Sequence, residues 1–292
     1  MSGRAPEPDA PPAGDPDPDP EPDDPPAPGS ALPEGRPAGL RWWREVLYIL
    51  GFYALYSIIR NTQGSASVSE AHAFANARHV ISAERALGVY HERSIQHTFL
   101  NWHPFIEFWD VFYGTFHFVV TVIALILLFR RFPARYPRWR NTLAATTALA
   151  LVGFAVYPLM PPRLLPASYG FVDTLRVFGG LWSFESGPVA RVSNQYAAMP
   201  SLHFAWSTWS ALVLFPLLRR PWSKTLVALY PAATLFAIVV TANHYVLDAA
   251  GGAAALAVGS AAGFTLTGLI FRRRAGGSAG RHPGDQPVPN RA

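Results

Sequence analysis

The chain alternates between long apolar runs and shorter polar segments. Six runs approach the length of about 20 mostly apolar residues that a helix needs to cross a bilayer. They lie at 42–60, 105–129, 141–160, 202–218, 225–243 and 247–271. The sixth run is rich in Ala and Gly, a composition that favours close packing of membrane helices. The pattern predicts an all-α integral membrane protein built as a bundle of six transmembrane helices.

Residues 61–104, between the first two runs, are too polar to span a bilayer. Apolar side chains nevertheless recur around Ile81 and again around Phe99, with Gly88 between the two groups. This pattern predicts helices that lie in the membrane interface on the extracytoplasmic side, with Gly88 as the break. We interpret them as a packing platform, and a direct catalytic role is the alternative.

Both ends of the chain differ in composition from the apolar middle. Residues 1–40 hold nine acidic residues and two arginines among many prolines, and residues 272–292 open with three arginines. Neither stretch has enough apolar surface to offset the entropy cost of folding. We therefore predict a disordered Pro/Asp-rich tail over 1–40, a membrane domain over 41–271 and a basic disordered tail over 272–292.

Basic residues cluster at particular ends of the apolar runs, which orients the chain. They follow the second run at 130–140, the fourth at 219–224 and the sixth at 272–274. If the runs alternate in direction, all three regions share one face, which the positive-inside rule makes cytoplasmic. Both termini are then cytoplasmic, and 61–104, 161–201 and 244–247 are extracytoplasmic. The net charge of +5 thus reflects membrane orientation, and no nucleic-acid partner is predicted.

Two short strings with histidines lie on the extracytoplasmic side. The first, PSLH, covers 200–203 at the start of the fourth run. Pro200 suits the first turn of a helix, whose free N–H groups and partial positive charge favour a phosphate. Ser201 adds a hydroxyl donor, and His203 can donate a proton to a leaving group. A helix start with an incidental histidine is the alternative.

The second string, HYVLD, covers 244–248 between the fifth and sixth runs. His244 and Asp248 are four residues apart and would share a face of a helix. The carboxylate can accept the N–H of one ring nitrogen and leave the other unprotonated, the condition for a nucleophilic or basic histidine. The alternative is a purely structural hydrogen bond at the membrane boundary.

Other polar residues fall on the same side. Arg163, Arg176 and Arg191 are extracytoplasmic, and the guanidinium fork suits phosphate oxygens. Tyr113 and His117, four apart in the second run, either line the same site or form a helix–helix hydrogen bond.

Metal and cofactor chemistry find little support. The chain has nine histidines but no cysteine, no HExxH string and no acidic ligand pair beside the histidines. It has no glycine loop of the nucleotide-binding kind. We predict neither a metal site nor a cofactor.

Taken in order, PPR at 161–163, AAMPSLH at 197–203 and ANHYVLD at 242–248 resemble the type 2 phosphatidic acid phosphatase superfamily. PSLH is similar to the branch of inositol phosphorylceramide synthases, which are inositolphosphotransferases. The resemblance implies a six-helix membrane fold with a metal-free site on the outer face. It also implies that His244 forms a phosphohistidine, Asp248 orients it and His203 protonates the leaving group, while Arg163 and Ser201 bind the phosphoryl oxygens.

The chain departs from that family pattern at three positions. The usual lysine before the first-motif arginine falls on Val156, and the usual Ser-Arg pair before the last histidine falls on Ala237 and Ile238. Two phosphate-binding cations are therefore missing. The residues that we expect to substitute for them are Arg176, Arg191, Asn194 and Gln195.

These observations predict an enzyme that transfers a phosphoryl group from a lipid phosphate at the outer leaflet of a bacterial cell membrane. Water as acceptor makes it a lipid phosphatase acting on phosphatidate or an isoprenoid phosphate or diphosphate. A polyol such as inositol makes it a phosphotransferase, which PSLH favours. The alternative class is a proton-coupled membrane transporter with the His–Asp pair as a relay, although these polar residues lie at span ends and not at the midplane. A structural scaffold is a third class.

Overall fold

The computed structural model describes residues 40–62, 69–178 and 195–279. The predicted tails over 1–40 and 272–292 lie largely outside these ranges, so the predicted domain boundaries stay predictions. Within the described ranges the chain is helical, and its β pairing is a single bridge between Leu159 and Ala197. The helices are α1 (Trp42–Thr62), α2 (Glu70–Leu87), α3 (Glu92–Phe99), α4 (His103–Arg131), α5 (Tyr136–Val156), α6 (Thr174–Val177), α7 (Leu202–Leu214), α8 (Pro221–Val240) and α9 (Val246–Ala279).

Every predicted apolar run forms a helix, but the helices differ in length and polarity. Within the described residues, three are long and apolar enough to cross a membrane: α4, α8 and the Val246–Ile270 part of α9. The apolar helix at Leu202–Leu217 is shorter. These three helices indicate an integral membrane protein. The sequence predicted six spans, and three of them have both the length and the hydropathy of a span in the described residues.

The segment before α4 forms two helices, and the first of them, α2, is capped at both ends. The Ser69 hydroxyl accepts the His72 N–H at the start of α2. Gly88 ends α2 in the left-handed conformation, with φ of 72°, which glycine adopts without a steric penalty. The predicted helix break at Gly88 is confirmed, and α3 starts four residues later at Glu92.

Helix α9 packs closely against α5, as its small residues predict. A Cβ atom at Gly263 would lie 2.5 Å from the Thr142 backbone nitrogen, and one at Gly259 would overlap the Thr146 side chain. Such distances leave no space for a methyl group, so the two helix backbones lie in direct contact. This packing fixes the direction of α9, whose N-terminus carries HYVLD.

Candidate active site

The three motif segments are joined through their main chains. The Arg163 N–H donates to the Ala242 carbonyl oxygen at 2.8 Å, and the Ser201 N–H donates to the Asp248 carbonyl oxygen at 2.9 Å. Segments that are distant in sequence thus meet through their backbones.

A buried tyrosine adds a further link between these segments. The Tyr245 hydroxyl donates to the Met160 carbonyl oxygen at 3.1 Å. Burial raises the pKa of Tyr245 well above its usual value, so the phenol stays protonated and remains a donor. The nearby Ala242 has φ of 53°, a conformation that is unfavourable for a residue with a Cβ atom. The turn between α8 and α9 therefore keeps a strained shape because its neighbours hold it.

Two histidines and one aspartate form a continuous hydrogen-bonded chain. His244 Nδ1 lies 3.1 Å from Asp248 Oδ2, and His244 Nε2 lies 3.3 Å from His203 Nδ1. Asp248 Oδ2 also accepts the Tyr245 N–H at 3.0 Å. Asp248 is 0% exposed. Because a carboxylate only accepts hydrogen bonds, Nδ1 of His244 carries the proton and Nε2 presents its lone pair toward His203.

The His–Asp contact arises differently from the sequence prediction. Helix α9 begins at Val246, so His244 precedes the helix and does not share a helical face with Asp248. Asp248 lies in the first turn, and its carboxylate reaches back to both the imidazole and the Tyr245 N–H. It acts as a cap for the helix start and an anchor for the histidine at once.

Pro200 of PSLH lies outside the helix, although the sequence predicted it in the first turn. Ser201 is the N-cap of α7, and its hydroxyl oxygen accepts the Phe204 N–H at 3.4 Å. Pro200 therefore lies just before the cap and not in the first turn. It packs against Gly153, where a Cβ atom would lie 2.6 Å from the proline Cδ. The Ser201 hydroxyl keeps its own proton for donation.

Aromatic side chains of α4 surround His203. The Tyr113 ring stacks on the His203 ring with centroids 4.2 Å apart, and the His117 ring meets it edge-on at 4.2 Å. His117 Nδ1 lies 3.0 Å from the Tyr113 carbonyl oxygen. Both rings therefore contact His203, in agreement with the first of the two predicted alternatives, while a role in the site stays a prediction. Within the described residues, no group of three or more His, Asp or Glu side chains has an arrangement that could hold a metal ion.

Arg163 is buried and faces an acidic partner. Its side chain is 6% exposed, and Nη1 lies 3.3 Å from Asp173 Oδ2. The hydroxyl group of the next residue, Thr174, donates a hydrogen bond to Asp110 Oδ1 at 2.8 Å. This bond joins the 173–174 segment to α4. The Arg163 guanidinium is thus held by a counter-ion that sequence reasoning did not identify.

The residues that were predicted to replace the missing cations lie in three different places. Arg176 lies on α6 and is exposed. Gln195 is half-buried next to the 197–203 motif. Arg191 and Asn194 lie outside the described residues.

Two glutamates that the sequence did not single out support the His244 turn. Glu92 Oε1 accepts the Val246 N–H at 3.1 Å, and Glu84 Oε1 accepts the Leu247 N–H at 2.8 Å. Both side chains are 0% exposed. Burial raises the pKa of Glu84 to about 9, with the Leu247 N–H opposing the rise and Glu92 adding to it. Glu84 is therefore protonated at neutral pH.

A periodic signal for Glu84 was present in the sequence. The buried face of α2 carries Ala73, Ala77 and Val80, and Glu84 continues it at helical spacing. A charged residue on an apolar stripe is costly unless it has a partner, so its position predicts a buried contact. No comparable signal marks Glu92, which lies in the first turn of α3.

The positions of the missing family cations are occupied by apolar side chains in two different environments. Val156 is 74% exposed at the end of α5. Ala237 and Ile238 are fully buried in α8, and the Ile238 carbonyl oxygen accepts the N–H groups of Asn243 and His244. Neither place supplies a charge to the site.

The comparison with known proteins agrees with this arrangement. No curated protein and no solved structure matches the chain significantly. The sequence model of the PAP2 superfamily matches residues 78–262, well over half of the chain, and this range includes all three motif segments. The chain belongs to the PAP2 superfamily.

Proposed function

We propose that this protein transfers the phosphoryl group of a lipid phosphate through a phosphohistidine on His244, in the manner of an inositolphosphotransferase. Membership of the PAP2 superfamily supports phosphatase or phosphotransferase activity on phosphate esters and implies a lipid phosphate substrate. The observation that carries the proposal is the buried chain from Asp248 through His244 to His203.

The tautomer of His244 suits it to nucleophilic attack. Its Nε2 lone pair attacks phosphorus, and the bond from phosphorus to the lipid oxygen breaks. His203 gives a proton to that oxygen, so the lipid leaves as a neutral alcohol. Asp248 stabilises the positive charge that the imidazole gains when Nε2 bonds to phosphorus.

The second half-reaction reverses these roles. His203, now neutral, removes a proton from the acceptor hydroxyl, whose oxygen attacks phosphorus while the N–P bond breaks. His244 and the protonated His203 are regenerated. Since His244 Nε2 lies 3.3 Å from His203 Nδ1, a phosphoryl group bound between these two nitrogens has to separate them. Phosphoryl transfer depends mainly on positioning and charge stabilisation, which this site provides from its own side chains.

Charge stabilisation comes from donors around the histidine pair. Arg163 and the Ser201 hydroxyl bind the phosphoryl oxygens, together with the helix N-terminus of α7. Arg191 is a further phosphate ligand in the proposal, although it lies outside the described residues. Tyr113 and His117 form the wall against which the His203 ring lies.

The acceptor distinguishes the two forms of the reaction. Leu202 of PSLH is half-buried beside His203 and replaces the small residue that is usual in lipid phosphatases of the resembled family. A polyol such as inositol is the proposed acceptor, and water is the alternative, which gives a lipid phosphatase.

The proposed topology has six membrane spans with the site at the extracytoplasmic end. Helices α1, α5 and α7 join the three that are long and apolar enough. The basic segments at 130–140 and 219–224 lie at the helix ends remote from His203 and His244 along α4, α7 and α8. The positive-inside rule then supports cytoplasmic termini and an extracytoplasmic site.

The test is an assay of purified protein with phosphatidate, isoprenoid phosphates and other phospholipids, with and without inositol. Released phosphate indicates a phosphatase, and a new inositol-containing product indicates a transferase. His244→Ala should abolish turnover, whereas the exposed His72→Ala should not. A phosphoenzyme trapped from labelled substrate should be acid-labile and base-stable. Equal turnover by His244→Ala would remove the nucleophile assignment.

Orthovanadate separates an enzyme from a proton-coupled transporter. It mimics a phosphoryl transition state, so binding that requires His244 supports the enzyme. Proton-coupled uptake in vesicles that persists without vanadate binding supports the transporter.

A further inference from the structure

A second polar cavity opens beside the turn between α2 and α3. It has a volume of about 380 Å³ and is lined by Arg85, Tyr90, Arg93, Ser168 and Tyr169. This volume falls within the range of sites for small ligands, about 300–1,000 Å³. All five lining side chains carry N–H or O–H donors, and none is a carboxylate. We call this cavity the arginine cleft; it shares no lining residue with the histidine site.

Both guanidinium groups of the arginine cleft are held in place. The Arg85 guanidinium carbon lies 4.9 Å from the centre of the Tyr90 ring. Arg93 lies against the backbone of Gly170, where a Cβ atom would be 2.7 Å from its Nε. No described acidic residue forms an ion pair with either arginine. The arginine cleft therefore presents two positioned cations without an acidic partner from the described chain.

The glutamates next to these arginines in sequence bind the backbone of another segment and not the arginines. Glu84 and Glu92 immediately precede Arg85 and Arg93, but both are buried and accept the N–H groups at the start of α9. Each Glu-Arg pair therefore sends its carboxyl group inward to the His244 turn and its guanidinium outward to the arginine cleft. The two places are connected through adjacent residues of the same short segments.

We propose that the arginine cleft binds a second phosphate-type anion, distinct from the phosphoryl group that is transferred. Two guanidinium forks and three hydroxyl groups match the oxygens of a phosphate that bears a hydroxylated group. The phosphate is either the headgroup of an anionic lipid or part of a soluble organophosphate. In the first case the arginine cleft selects the lipid that reaches the histidine site, a role that rests on the proposed function.

Binding is measured on the His244→Ala protein, which keeps the arginine cleft and removes the proposed nucleophile. One arm is calorimetric titration with myo-inositol 1-phosphate. The other is binding to nanodiscs of phosphatidylglycerol, with phosphatidylcholine nanodiscs as the uncharged reference. Arg85→Gln/Arg93→Gln should weaken binding in at least one arm by roughly tenfold or more, since charge-assisted hydrogen bonds to phosphate are lost.

Arg78→Gln is the matched control, because Arg78 is an exposed arginine of α2 that does not line the arginine cleft. It should change binding by less than about twofold, as expected for a surface charge outside the contact. Loss in the nanodisc arm alone identifies a lipid headgroup, and loss in the titration arm alone identifies a soluble phosphate. Unchanged binding by the double variant, no binding by the parent protein, or equal weakening by Arg78→Gln overturns the proposal.

Failure of the proposed function gives a different result. If the protein with His244 turns over no lipid phosphate but the double variant still loses binding, the arginine cleft stands and the phosphohistidine mechanism falls. Where turnover is found, the double variant should raise KM with little change in kcat. Unchanged vanadate affinity in that variant shows that the histidine site is still folded.

Discussion

Two regions along helix α9, one at its N-terminus and one near its middle, pack closely through glycine in different surroundings. At its N-terminal end, Gly252 lies so close to Ser201 that an added Cβ atom would overlap the serine carbonyl oxygen. Further along the helix, near its middle, Gly263 lies similarly close to Thr142. The hydroxyl of Thr142 bonds within its own helix, to the Arg138 carbonyl oxygen.

The difference lies in how buried polar groups find partners. Near Gly263 the Thr142 and Thr146 hydroxyls bond within one helix, to carbonyl oxygens four residues earlier, which satisfies them in an apolar environment. Near Gly252 the polar groups bond between segments, and the chain of bonds ends on an imidazole nitrogen. This network contains two imidazoles and a carboxylate, and ionisable side chains within a membrane protein mark a functional site because they are costly there. We call these two regions the site end and the far end.

The largest expected effect compares the same chemical change at both ends. Asp248→Asn removes the charge that stabilises His244 when its Nε2 bonds to phosphorus, and should lower kcat by about 10³-fold. Glu45→Gln is the matched control at the far end, where Glu45 pairs with Arg140, and should leave kcat within about twofold. Both are measured in the lipid phosphate assay. Similar losses of kcat in the two variants would contradict the assignment of Asp248.

The second expected effect concerns the two glycines of α9 that lie against neighbouring backbones. Gly252→Ala and Gly263→Ala should each destabilise the protein by about 1–3 kcal/mol, because a methyl group forces backbones apart. Thermal unfolding in detergent measures this loss. Gly252→Ala should also reduce activity at temperatures where the protein is folded, since the Ser201 and Asp248 main chains are hydrogen-bonded.

Gly268→Ala is the control for both variants, because its added Cβ atom would meet nothing within 4 Å. It should keep activity and stability. If Gly263→Ala lost activity in the folded state as Gly252→Ala does, the two ends would not differ in the way described.

Much of the far end follows from sequence periodicity alone. Apolar runs and small residues predict helices and their close contacts, because these features depend on residues that are near in sequence or repeat regularly. The helix break at Gly88 was predictable for the same local reason. The number of spans was less predictable, since three of the predicted runs fold into helices that are short or too polar for a firm assignment.

The site end was predictable in its residues but not in its connections. His203, His244 and Asp248 were identified from their strings, and the structure brings them together. The inward direction of Glu92 and the pairing of Arg163 with Asp173 join segments that are remote in sequence, and no local pattern encodes them. The start of α9 after His244 was also missed, because helix ends depend on capping contacts that a four-residue spacing does not reveal.

The third effect is a pH dependence that only the site end should show. Burial raises the pKa of Glu84 from its ordinary 4.5 to about 9. The folded protein therefore binds more protons than the unfolded chain between these values, and stability falls as pH rises through this window. Glu84→Gln keeps the acceptor for the Leu247 N–H and removes the titration. It should raise the melting temperature near pH 8 by roughly 5 °C relative to the parent protein.

The groups that face Glu84 have to be considered in that measurement. Glu92 and Tyr90 approach it from its own side, and Asp248 and Tyr245 from the start of α9. Glu70→Gln is the control, because Glu70 is exposed at the start of α2. The melting temperature of Glu70→Gln should depend on pH as steeply as that of the parent protein. If the melting temperature of Glu84→Gln fell with pH as steeply as that of the parent protein, the raised pKa of Glu84 would be contradicted.

The smallest expected effect tests whether cations matter equally at the two ends. At the far end, the Arg138 guanidinium carbon lies 3.4 Å from the centre of the Phe264 ring. Arg138→Gln should cost about 0.5–1 kcal/mol of stability, the range of an exposed cation–π contact, and leave KM and kcat unchanged. Chemical unfolding measures the change in stability, and the lipid phosphate assay measures KM and kcat. If Arg138→Gln raised KM as much as Arg85→Gln/Arg93→Gln does, any surface arginine would attract the lipid equally well. The arginine cleft would then have no separate role in substrate binding.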